Sequence, residues 1–459
     1  MSASPSQRFR TRLDEGLTQL KLAMPLVLSQ LAFVLMGFLD TAMTGRAGSD
    51  EQAVVGLGVG VWIPVMVAAM GVVQALSPIV AHHFGAGDYD AIAEDTRQGL
   101  WLGGLLGLLP MLSWPFLPEL LAMAGTPPDL VARTTTFLHG ILLGLPATLM
   151  FRALSFYASS VNLTKPPMWV AFVGLACNGV LNAGLIFGLW GLPAMGGAGC
   201  GWATGISSWI MLALLLAYMH RAPAFKPYWL FHRFSRIDLS LQARLIRLGA
   251  PIGLAHFAEV ATFAGVALFV ARFGALDIAA HQMALNFSAM VFMLPLGIST
   301  AVSIRVGQSL GAQAVAEARY RAWTGVMLAT TLAGLLAPVV YAARYAIVAV
   351  YTDDPRVVEV AASLVALSAL WQLADAVQVT AIGALRGYKV TLVPMLIVIG
   401  VFWGVGVPVG VQLALHGAPW FGVAQPLQVY GCWVGLVTSL VGVAVAQSFM
   451  LWKVAGQAR

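Results

Sequence analysis

No charged side chain occurs between Lys165 and Arg221, nor between Lys389 and Lys453. A membrane-spanning helix needs about 20 mostly apolar residues. Each of these stretches is long enough for two crossings. Each is also interrupted once by helix breakers, Gly191, Pro193, Gly196 and Gly197 in the first and His416-Gly417-Ala418-Pro419 in the second. Shorter charge-free runs lie at 99–118, 134–151 and between Arg321 and Arg344. Over 459 residues, 59% are hydrophobic and 10% charged, against about 25% charged in a soluble domain. So few charges cannot clothe a soluble protein of this size. The composition argues against a water-soluble enzyme, a disordered chain and a nucleic-acid binder.

Twelve spans are expected, at 20–45, 52–84, 99–124, 131–159, 164–189, 197–220, 246–271, 277–309, 323–350, 357–385, 392–416 and 428–455. Lys and Arg concentrate on the cytoplasmic side of membrane proteins. With the N-terminus cytoplasmic, that side receives Arg8, Arg10, Arg97, Lys165, Arg233, Arg244, Arg305, Arg321, Arg386, Lys389, Arg459 and others. The opposite side receives only Arg46, Arg133, Arg272, Arg344 and Arg356. Both termini are therefore expected in the cytoplasm. The net charge of +6 reports this orientation and not an anionic partner. The first apolar segment is too long for a cleavable signal and is expected to remain as a span. Cys177, Cys200 and Cys432 lie in apolar surroundings with no metal or disulfide spacing, and are read as small hydrophobes.

Sliding the chain by 226 residues aligns Leu22 with Leu248, Pro25 with Pro251, Arg46 with Arg272, Gly71 with Gly297, Ser77 with Ser303 and Gly85 with Gly311. Further on, at one extra residue of offset, Thr164, Pro167 and Met168 meet Thr391, Pro394 and Met395. Six spans per copy is an even number, so both copies point the same way across the membrane. The fold class read from this is an all-α polytopic membrane protein. Its twelve transmembrane helices form two pseudo-symmetric six-helix bundles around a central cavity. The expected division is 1–220, a cytoplasmic linker at 221–245, and 246–459. Rocking of the halves then gives alternating access. A channel would more commonly be built from smaller identical subunits.

Most acidic residues fall in loops or at span ends, but Asp40, Glu259 and Asp375 do not. A charge at mid-membrane costs about 2.5–3.5 kcal/mol even on the lenient insertion scale. Such carboxylates take a proton or a cation, and one that binds a coupling cation and an organic cation at different points of a cycle is the minimum chemistry of an antiporter. Amides surround them: Gln372 and Gln378 flank Asp375, Asn178 and Asn182 share a face of the fifth span, and Gln282 and Asn286 lie on the eighth. Phe38, Phe257, Phe263, Phe287 and Trp371 supply rings for a flat organic cation, while each also serves packing. His256 and His281 are read as structural.

The segments Gly37-Phe38-Leu39-Asp40-Thr41, 196–201 (GGAGCG), 279–286 (AAHQMALN) and Leu385-Arg386-Gly387-Tyr388-Lys389 resemble the multidrug and toxic compound extrusion (MATE) family, NorM branch, over nearly the whole chain. The resemblance implies a bacterial inner-membrane antiporter that expels cationic, often aromatic, drugs and dyes, fluoroquinolones included, in exchange for Na⁺ or H⁺. It needs no cofactor and no nucleic acid, sits in membrane lipid, and acts as a monomer. Cation coupling falls on Glu259 and Asp375, which would also hold Na⁺, and on Asp40. Asp40, Asn178, Asn182, Gln282, Asn286, Gln372 and Phe287 are the substrate candidates. Pro25 matches a helix-bending proline of relatives, while Pro251 is expected near the start of the seventh span.

Two other readings compete. A lipid-linked saccharide flippase of the same superfamily would present basic cavity residues to a pyrophosphate, whereas the mid-membrane charge here is acidic. A polytopic membrane enzyme would need a catalytic cluster, and no HExxH, GxSxG or metal-spaced His/Cys set occurs.

Overall fold

The computed structural model describes residues 5–228, 230–418 and 425–457, with side chains from residue 12 onward. Pro419 and Arg459, used above, lie outside the described residues, as do the side chains of Arg8 and Arg10. Among the described residues, twelve helices are long and apolar enough to cross a membrane. They are α1 (Arg12–Ala47), α2 (Ser49–Ala86), α3 (Tyr89–Met123), α4 (Pro128–Ser160), α5 (Lys165–Phe187), α6 (Gly197–Arg221), α7 (Leu239–Phe273), α8 (Ala275–Gly311), α9 (Val315–Ala349), α10 (Pro355–Gly387), α11 (Leu392–His416) and α12 (Val429–Gln457). Each expected span overlaps one of them. Backbone groups in lipid must bond within their own segment, which is why uninterrupted apolar sequence becomes helix here.

Irregular turns follow local chemistry. Pro110 and Pro115 accompany a 3₁₀ stretch, Leu109–Phe116, inside α3. A π-helical turn, Phe402–Gly406, interrupts α11, where the approach to Gly435 and Ser439 of α12 leaves no room for a Cβ on Gly406. The seventh helix starts earlier than expected. Asp238 Oδ1 accepts from the Ser240 amide at 2.8 Å and from the Leu241 amide at 3.3 Å, an N-cap that opens the helix at Leu239. The Ser240 hydroxyl, then the two amides, hold the Asp238 carboxyl below its usual range. Pro251 consequently lies inside α7, as Pro25 lies inside α1, and not near a helix start.

Small residues set the closest packing, as is usual between helices in lipid. A Cβ on Gly201 would stand 2.1 Å from the Phe137 carbonyl oxygen, and one on Gly144 would stand 2.4 Å from Gly205 Cα. These contacts seat α6 on α4. At the start of α6, the Gly197 amide donates to Glu51 Oε2 at 2.5 Å, and Arg133 pairs with the same carboxylate. Gly196, at φ +57°, leaves the space that Glu51 occupies. The glycine run 196–201 is thus explained by packing.

By contact the chain divides into Leu28–Gly253 and a second unit of Met1–Val27 with Leu254–Arg459. In the first unit, the segment after α6 is tied to α3: Trp101 Nε1 donates to Ser235 O at 3.0 Å, and Ser235 Oγ to Glu94 Oε2 at 2.6 Å. The first turns of α7 pack on α2, where a Cβ on Gly71 would stand 2.5 Å from Gly253 Cα. In the second unit, the start of α1 docks on α8 and α9, with Arg305 on Glu15 at 2.6 Å and Gln19 on the Arg321 carbonyl at 2.9 Å. The contact boundaries therefore differ from loop-based ones: the start of α1, up to Val27, packs with the later helices, and the early turns of α7, up to Gly253, with the earlier ones.

Candidate cation and substrate sites

Asp40 is held in the first unit by α5 and α6. Asn182 Nδ2 donates to Asp40 Oδ1 at 2.6 Å, and Thr204 Oγ1 to Oδ2 at 3.3 Å. Behind them, Asn178 Nδ2 donates to Thr204 Oγ1 at 3.2 Å, and Asn182 Nδ2 also meets Asn178 Oδ1 at 3.1 Å. The four-residue spacing of Asn178 and Asn182 places both on one face of α5, where both are fully buried. The Cys200 thiol lies within hydrogen-bonding reach of Asp40, so this cysteine is more than a small hydrophobe. No basic side chain pairs with Asp40 among the described salt bridges. Asn182 Oδ1 is buried with no hydrogen-bond partner.

The second unit brings Glu259 and Asp375 within electrostatic range of each other. Gln378 Nε2 donates to Glu259 Oε1 at 3.3 Å, and the Trp371 indole reaches Asp375. Gln378 Oε1, like Asn182 Oδ1 in the other unit, is buried and unpartnered. Phe263 stacks on Trp371, with ring centroids 5.4 Å apart and planes 11° apart, and Trp433 leans on Trp371 at 5.1 Å. Trp433 Nε1 donates to His281 Nδ1 at 3.0 Å, which gives His281 a structural role. One turn along α7, Thr262, Gly265, Val266 and Phe269 join Trp403 and Gly406 in lining an apolar cavity of about 210 Å³.

Other expected site residues do not join these clusters. Gln282 and Asn286 are exposed, away from the buried His281, Ala284 and Ser288 side of α8. Gln372 donates to the Ser288 carbonyl at 3.2 Å, bracing α10 against α8. Phe287 packs against the apolar core of the second unit, and Phe38 and Phe257 are exposed. Pro25 precedes the contact boundary at Val27 by two residues. Sequence reading missed Thr204 and Cys200, which reach Asp40 from a helix distant in sequence. It also counted Arg386 with the solvated connector charges, whereas its side chain is 6% exposed and lies inside α10.

The MatE family profile matches the chain twice, at residues 25–183 and 251–411. The chain belongs to the MatE family. Both matches begin at a repeat proline, Pro25 and Pro251, in the 226-residue register. The chain is 40% identical to the multidrug resistance protein PmpM of Pseudomonas aeruginosa, over 95% of this chain and 91% of that protein. It is also 40% identical to the probable multidrug resistance protein NorM of Chromobacterium violaceum, over 94% and 92%. In fold it is similar to the Vibrio cholerae MATE transporter VcmN in its bent form, with a TM-score of 0.85 at 16% identity over 98% of this chain and 99% of that one. The eukaryotic MATE transporter AtDTX14 aligns with a TM-score of 0.83 at 19% identity over 98% and 99%. As a MatE protein, the chain is a multi-pass membrane transporter and not a member of an enzyme family.

Proposed function

We propose that the chain is a cation-coupled efflux antiporter that exports organic cations, drugs and dyes among them, across a bacterial inner membrane. Both termini are cytoplasmic and the monomer is the working unit. The observation that carries the coupling is an orphaned amide oxygen beside a carboxylate that makes no ion pair among the described residues, Asn182 Oδ1 beside Asp40 and Gln378 Oε1 beside Glu259. Gln19, Gln242 and Gln447 also have orphaned oxygens, but of these only Gln19 bonds a carboxylate, Glu15, which Arg305 and Arg321 already neutralise. Buried polar atoms are almost always satisfied. A proton on the carboxyl supplies the missing donor, and Na⁺ takes the amide oxygen as a ligand. Either one also cancels a charge that is costly in the membrane, and oxygen donors suit a hard cation. Glu259, Asp375 and Gln378 would hold the ion in one unit, and Asp40, Asn182 and Thr204 in the other.

The same carboxylates suit a cationic substrate, and the Phe263–Trp371 stack offers it an aromatic face. The names of the PmpM and NorM relatives support a multidrug range. A cation moving down 100 mV supplies about 2.3 kcal/mol. That drives export only when cation and substrate favour different inward- and outward-facing states. The test is ethidium transport by the purified protein in proteoliposomes under separately imposed Na⁺ and pH gradients. Export under at least one gradient, collapsing with it, is expected. Transport indifferent to both would leave an uncoupled carrier.

A further inference from the structure

Along α7 and α10 the ionisable groups of the second unit form a ladder. Asp375 is followed by Gln378, which bonds Glu259, and then by Arg386, whose Nη2 is 3.3 Å from His256 Nε2. Asp375 and Arg386 are eleven residues apart on one helix, three turns or about 16 Å. The side-chain spacing returns both to the same face. His256 and Glu259, three residues apart on α7, face this row. For a guanidinium to donate to His256 Nε2, that nitrogen must accept, so His256 is neutral and adds no charge. Glu259 is the charged group acting on Arg386, Arg386 the one acting on Glu259, and Glu259 the one acting on Asp375. The cluster thus holds two carboxylates and one guanidinium, a net charge of −1, in a place where uncompensated charge is unfavourable.

We propose that Arg386 is a built-in counter-cation that neutralises one of the two carboxylates, so that the Glu259–Asp375 site takes up one monovalent coupling cation per cycle. The proposal rests on the coupled-export reading above. Arg386 acts here through the carboxylates, as a charge-setting residue that need not touch the ion or the drug. Its fixed charge is what makes a two-carboxylate site single-valued: without it, both acids would need an external partner before the cluster could become neutral.

The test counts cations bound by the full-length protein in nanodiscs, with Na⁺ followed by isotope binding and H⁺ by a pH-sensitive dye. All variants carry Asp40→Asn to silence the other site. The parent is expected to bind one cation, and R386Q two. E259Q, left with Asp375 and Arg386, is expected to bind none, and E259Q/R386Q to regain one. D375N and D375N/R386Q repeat the last pair should either E259Q variant misfold. Regained binding in the double variant is an outcome that a merely structural arginine would not produce. R386Q that binds one cation, or a double variant that stays at zero while the parent binds one, overturns the proposal and leaves coupled export standing. A parent that exchanges neither Na⁺ nor H⁺ overturns the coupling assignment for this site together with it.

Discussion

Asp40 and Glu259 sit on different helices yet share one local arrangement: an amide nitrogen donates to the carboxylate while the oxygen of that amide stays buried and unpartnered. A hydrogen bond to a charged group contributes about 1.5–3 kcal/mol. Asn182→Ala is therefore expected to weaken the cation dependence of transport about ten- to a hundredfold, and Thr204→Val, at the longer contact, by less. Initial rates against Na⁺ or H⁺ concentration check both. The acids, and the amides on one face of α5, were legible in the sequence because isolated polar residues stand out in apolar spans. Thr204 and Cys200 were not, since only the packing of α6 brings them to Asp40. Gln282 and Asn286 carried the same polar signal, but on α8 they lie exposed, away from the buried side of His281 and Ser288, and residue type alone does not record rotation.

At the scale of the element, glycine spacing decides which helices meet. Gly201→Ala places a Cβ against the Phe137 carbonyl, and such overpacking costs about 1–3 kcal/mol. Gly37 has open space around its Cβ position, so Gly37→Ala is expected to be stabilising by up to about 1 kcal/mol through helix propensity. Thermal denaturation in detergent separates the two, with the melting temperature falling for the first variant and not for the second. At the start of α7, Asp238→Ala is expected to speed hydrogen exchange at Ser240 and Leu241. Because the Asp238 carboxyl is held below its usual range, the wild-type cap persists through neutral pH and is lost as pH falls through that lowered value. Hydropathy located all twelve helices. It placed the start of α7 late because the first turns of that helix are polar, and a polar helix start reads like connector until its cap is noticed.

At the scale of the whole molecule, the 226-residue repeat organises everything else. It appears in the sequence, in the two family matches starting at residues 25 and 251, and in the contact boundaries, which follow Val27 and Gly253. The repeat was legible because proline, arginine and serine matches in one register are improbable by composition. The grouping of the start of α1 with the later helices and of the early turns of α7 with the earlier ones was not, since chain order says nothing about which neighbour a helix end chooses. The topology has its own test: in a cysteine-free background, Arg236→Cys is expected to react with an impermeant maleimide only from the cytoplasm, and Asp353→Cys only from outside. The central claim is that buried carboxylates couple export to a cation gradient. It is tested most directly by gradient-driven ethidium export in proteoliposomes, with wild type, Glu259→Gln and Asp375→Asn side by side. Export by the wild type and its loss in both well-folded variants is the expected result, and export unchanged in both would contradict it.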